Sequence, residues 1–155
     1  METNFLSEVH PRIVHFPIAL LSLYSLLEIF GIIFKNEFIS KSALLVLCIG
    51  VVTSLLAVLS GNQAAENFKY WTDQSLILLN NHQSFATYLL WFSAIICALR
   101  IYFVNRKIFY GWRKNIFLVF AVITLFLVVQ TGLYGGDLVK KFGIGTDVYQ
   151  NYENE

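Results

Sequence analysis

Four apolar stretches, Ile13 to Phe34, Ala43 to Leu59, Phe85 to Val104 and Ile116 to Tyr134, leave this chain few ways to fold. Each is about 17 to 22 residues long, enough for an α-helix to cross the hydrocarbon core of a bilayer. Lipid offers no partner to a peptide N–H or C=O, so such a segment crosses as a helix that satisfies its own backbone. The composition agrees, with 57% apolar and only 14% charged residues. The connections from the first stretch to the second and from the third to the fourth are short. They predict an all-α, integral membrane four-helix bundle, running up-down-up-down as a single domain over residues 1–155. Its first partner is the lipid bilayer. No small-residue cleavage site follows the first apolar run, so that run is expected to stay as an anchor.

Basic residues give the direction. Lys35, Lys41, Arg100, Arg106, Lys107, Arg113 and Lys114 flank the first and third connections, against Arg12, Lys69, Lys140 and Lys141 on the other side. The positive-inside rule then puts the first and third connections in the cytoplasm. The N terminus, the loop from Asn62 to Asn81 and the C-terminal tail lie outside, on a face that also carries Glu2, Glu8, Glu66, Asp73, Asp137, Asp147, Glu153 and Glu155. Net charge is +1, so no global basic field points to nucleic acid.

The polar chemistry gathers at that outer end. His10 and His15 open the first span and His82 opens the third, and these are the only histidines in the chain. Spans two and four end at the same surface and bring Ser60, Gly61, Asn62, Gln63, Gln130, Tyr134, Gly135, Gly136 and Asp137. Pro11 suits the first turn of a helix, where its missing N–H is no loss. Pro17 leaves the Ile13 carbonyl without its usual donor, and the loosened turn would set how the His15 ring enters the bundle. His10 and His15 are five apart, about 140° around a helix, so they share a ligand only if the helix starts after His10.

Two readings of the histidines follow, beside the plain one that interfacial imidazoles bind nothing. One ring from span one and one from span three would clamp a haem b, with His15 and His82 the expected pair and His10 the substitute. Gln130, Tyr134 and Asp137 would tune it or border a quinol pocket. Gly61, in the stripe Gly50, Ser54, Ala57, Gly61 and Ala64, would leave room for a flat macrocycle, although such stripes more often serve close helix packing. Alternatively His10, His15 and His82 together, with Asp137 or Glu8, would hold copper or zinc. A third possibility is a structural or assembly subunit without cofactor, as a homo-oligomer or in a larger complex.

The cytoplasmic half offers little of its own. Glu28 is the only acid inside a span, expected to pair with Lys41 or Arg100, with proton uptake as the sharper alternative. Cys48 and Cys97 lie deep in apolar runs and read as small buried hydrophobes, and no CxxCH haem-attachment motif is present. Trp71 and Trp112 read as interfacial anchors, whereas Trp91 is expected to pack inside. No nucleophile with an adjacent base, phosphate loop or paired catalytic carboxylates appears, which disfavours hydrolases and kinases.

The opening HPRIVHFPIALL resembles the HPxxVHFPxAL signature of a bacterial membrane family known as domain of unknown function 2231. The likeness continues through Ser60 and Gly61, His82, the YGGDLV stretch from Tyr134 to Val139, and GIGT from Gly143 to Thr146. The resemblance implies four spans in a bacterial inner membrane. Members joined to Rieske iron–sulfur or cytochrome-type domains imply a redox neighbourhood. With no such domain in this chain, the electron partner is expected to be a separate redox protein or a quinone.

Overall fold

The structure is a computed structural model describing residues 5–146. Of the outer acids named above, Glu2, Asp147, Glu153 and Glu155 lie outside the described residues. Five helices follow in order: α1 Phe5–Ile13, α2 His15–Ile33, α3 Glu37–Asn67, α4 Asp73–Asn105 and α5 Trp112–Phe142. Leu6–Ile33 acts as one span, and with α3, α4 and α5 it makes four helical segments long and apolar enough to cross a membrane.

Only Val14 separates α1 from α2. Its backbone stays right-handed, and Val14 N–H donates to His10 O at 3.1 Å while Ile18 N–H reaches Val14 O at 3.4 Å. The joint is a loosened turn between two prolines that donate no hydrogen bond. Pro11 lies inside α1 rather than in a first turn, because helix is already present from Phe5. His10 is therefore as helical as His15, so helical placement gives no ground for expecting His15 rather than His10 as the ligand.

The helices outlast the apolar windows, since a backbone ladder does not need lipid around it. What ends them is local chemistry. Asn36 Oδ1 caps α3 by accepting from Ile39 N–H at 3.1 Å. Thr72 and Ser75 form a reciprocal capping box at the start of α4. Gly143, at φ +64°, closes α5 in the left-handed conformation that glycine adopts without penalty.

Around the bundle, α2 packs on α3 and α5, and α4 packs on the same two, so α2 and α4 occupy one diagonal. The end of α2, the start of α3 and the end of α4 meet at Glu28, Ser40 and Arg100. At the opposite end, the last turn of α1 meets the later part of α3 at Ser60, and the earlier part of α4 meets the later part of α5 at Thr131. Consecutive long helices therefore run in opposite directions.

The core is built from Leu21, Tyr24, Leu47, Leu89, Ile96, Phe117 and Val128. Gly50 and Gly61 face α2 and α1: a Cβ on Gly50 would stand 2.7 Å from Leu21 Cδ2, and one on Gly61 would stand 2.8 Å from His10 Cε1. The stripe in α3 thus serves close packing, as such stripes do. Cys48 and Cys97 are free thiols in contact at 3.4 Å. Trp91 is 64% exposed on the apolar outer surface, so it points away from the core it was expected to join.

Candidate functional site

Two of the three histidines turn inward. His10, on α1, places Nδ1 2.9 Å from the Ser60 hydroxyl of α3. That hydroxyl donates to the Ala57 carbonyl at 3.1 Å, so its oxygen is free to accept from His10 Nδ1–H. His82, on α4, donates from Nδ1 to the Thr131 carbonyl of α5 at 3.0 Å, an oxygen that can only accept. With Ser60 accepting, both rings in their neutral form carry hydrogen at Nδ1 and a lone pair at Nε2. A backbone or hydroxyl partner on one nitrogen is how a metal-ligating histidine is usually oriented for coordination through the other.

Each ring also sits on a glycine of the helix its own span packs against. His10 lies over Gly61, and His82 lies over Gly135, where an added Cβ would stand 3.0 Å from His82 Cε1. The two hairpins repeat one device: a histidine near the start of the outgoing span and a glycine near the end of the returning one. The rings are half-buried and come from α1 and α4.

The remaining expected residues divide. His15 is exposed and turned away, as a five-residue offset from an inward His10 requires. Gly61 belongs to the site, but as the seat of an imidazole rather than as open space for a macrocycle. Tyr134 stacks on Phe85 with ring centroids 5.3 Å apart. Asp137 is held by Lys141 at 2.7 Å along its own helix, and Gln130 is half-buried. Among the described residues no group of three or more His, Cys, Asp or Glu side chains could hold a metal ion, so the three-histidine cluster is not assembled. Ser60, Thr131 and Gly135 complete the site. Ser60 and Gly135 were visible as polar or small residues at that end, but the Thr131 contact is through its backbone and leaves no mark in residue type.

The opposite end is richer than the sequence suggested. Glu28 pairs with Arg100, one of the two expected partners, at 3.4 Å, with both side chains almost wholly buried. Arg100 Nη2 also donates to the Ser40 hydroxyl at 2.6 Å and the Ser40 carbonyl at 3.3 Å. Its guanidinium lies 3.2 Å from the centroid of the Phe109 ring, a cation–π contact in a desolvated setting. Lys41, the other expected partner, faces Glu37 at the surface instead.

Comparison with known proteins places the chain in a family. The profile of the family described as "Predicted membrane protein (DUF2231)" matches residues 7–148, and the chain belongs to that family. No curated protein and no solved structure matches it.

Proposed function

We propose that this member of the DUF2231 family is a membrane electron-transfer protein that holds a b-type haem between His10 and His82. The observation that carries the reading is the pair of inward imidazoles, each fixed at Nδ1 and each left with an Nε2 lone pair. Two such donors suit haem, whose porphyrin supplies the other four iron ligands. They fall short of the three or four protein ligands that zinc or copper takes. Bound there, haem would supply one-electron chemistry at its iron. The protein's part is to orient both rings through Ser60 and Thr131, to seat them on Gly61 and Gly135, and to limit water by burial.

The distribution of lysine and arginine supports placing the histidine end on the periplasmic side of a bacterial inner membrane, with both termini outside. A separate redox protein or a quinone would then exchange electrons with the site.

A visible spectrum of the detergent-purified protein, oxidised and then reduced, tests the reading. A Soret band and a reducible alpha band are expected, lost in His10→Ala and in His82→Ala but kept in His15→Ala. Protein from haem-replete cells without these bands would overturn it.

A further inference from the structure

Beyond the histidine pair, a shallow, open groove of about 430 Å³ lies on the outside of the bundle, lined by Asn62 of α3 and by Asn80, Gln83, Ser84, Thr87 and Tyr88 of α4, all but Gln83 exposed. Asn80, Ser84 and Thr87 recur at the four- and three-residue spacing that keeps side chains on one helix face. We propose that this groove binds the ring of a quinone or quinol.

Three features select that class. All six lining side chains are amides or hydroxyls and none is charged. A phosphate headgroup would find no cation there and a metal ion no carboxylate, whereas ring carbonyls and hydroxyls match amide and hydroxyl partners. The stripe from Asn80 to Thr87 is about 10 Å long at helical rise, and its last residues, Thr87 with Tyr88, enter the first turn of the apolar span that begins near Phe85. A glycerol or sugar headgroup stays at the interface. A quinone ring, being apolar apart from its oxygens, descends to that depth. Deeper along the same seam, Leu59 and Leu55 of α3 and Trp91 and Ile95 of α4 present exposed apolar side chains, a track for a lipid tail.

The site is separate from the histidine pair. His82 turns to α5, while its neighbour Gln83 lines the groove. Binding there does not depend on what the imidazoles hold.

Photolabelling tests it with a short-tailed azidobenzoquinone on the whole protein in lipid nanodiscs, followed by peptide mass spectrometry. Saturable labelling of the segment spanning Asn80 to Tyr88 is expected, reduced at least tenfold by excess unlabelled short-tailed quinone and not by monoacylglycerol. The double substitution Asn80→Leu, Thr87→Val should lower labelling about tenfold with an unchanged melting temperature. The competition on the unaltered protein decides the matter even if that variant misfolds. Three outcomes would overturn the proposal: label spread over all four spans, equal competition by monoacylglycerol, or a groove occluded by a second copy, seen as Thr87→Cys crosslinking to its twin. A colourless protein that still labels saturably would sink the haem reading alone, and a haem protein that does not label would sink this one alone.

Discussion

At one end of the bundle, half-buried His10 and His82 each spend one ring nitrogen on the protein and keep the other. At the other end, Glu28 and Arg100 are sealed from solvent, paired with each other, bonded to Ser40 and covered by Phe109. Both ends gather polar side chains from several helices, so location alone does not separate a site from a clamp. The difference is in the groups left over. The histidine end leaves acceptors only, the two imidazole lone pairs and the buried Gln63 Oε1, which one electron-poor ligand could engage. The ion-pair end leaves Tyr24 Oη, Glu28 Oε1, and Arg100 Nε and Nη1 without hydrogen-bond partners, a mixture of donors and acceptors that no one ion would satisfy. The lesson is to read a polar cluster in a membrane bundle by its unspent valences.

Substitution can break that comparison. The largest effect is expected from Arg100→Ala, which strands the Glu28 carboxylate in the interior and should destabilise the protein by about 3–5 kcal/mol. Replacing both partners by apolar residues, Glu28→Leu with Arg100→Met, should cost less than Arg100→Ala alone, because no charge is left uncompensated. Unfolding in mixed micelles measures both. If the double variant proved the weaker protein, the inner end would be more than a clamp.

Gly135→Ala comes next. Its methyl would meet His82 Cε1 at 3.0 Å, so the ring must shift, at a cost of about 1–3 kcal/mol for overpacking. On the proposed function the same change displaces a residue that would hold the haem, and the Soret band should weaken more than stability falls. Proportional losses would instead mark the glycine as a packing residue only.

Ser60→Ala should cost about 1 kcal/mol, the usual worth of one hydrogen bond, and weaken haem retention about 10- to 100-fold through the loosened His10 ring. An unchanged rate of haem transfer to apomyoglobin would contradict that orienting role. The smallest effect belongs to Asp137→Asn, which breaks an exposed pair with Lys141 and should change stability by only about 0.3–0.5 kcal/mol. A loss of bands in that variant would return Asp137 to the site from which its lysine contact removes it.

The four spans were legible in the sequence because hydropathy and length act alone on an isolated helix. The gathering of His10 and His82 at one end was legible too, since antiparallel connection brings alternate span starts together. Which histidine turns inward was not legible. It depends on where α1 begins and on how the joint at Val14 rotates one segment against the other, which the two prolines permit but do not specify. The Phe109 contact was hidden for a similar reason: residue 109 lies in the α4–α5 connection, and only tertiary folding brings its ring over Arg100. Trp91 misled because an aromatic side chain in mid-span is apolar enough for core or lipid alike.

The joint at Val14 bears on assembly. Among the described residues no side chain of α1 belongs to the hydrophobic nucleus of the bundle, and α1 packs on α3 and on its own continuation α2. The four long helices can therefore close on one another before His10 arrives, with His82 already docked on Gly135. A prosthetic group would then be gripped last, by a short N-terminal arm swinging onto a finished scaffold, and could be released again without unfolding it.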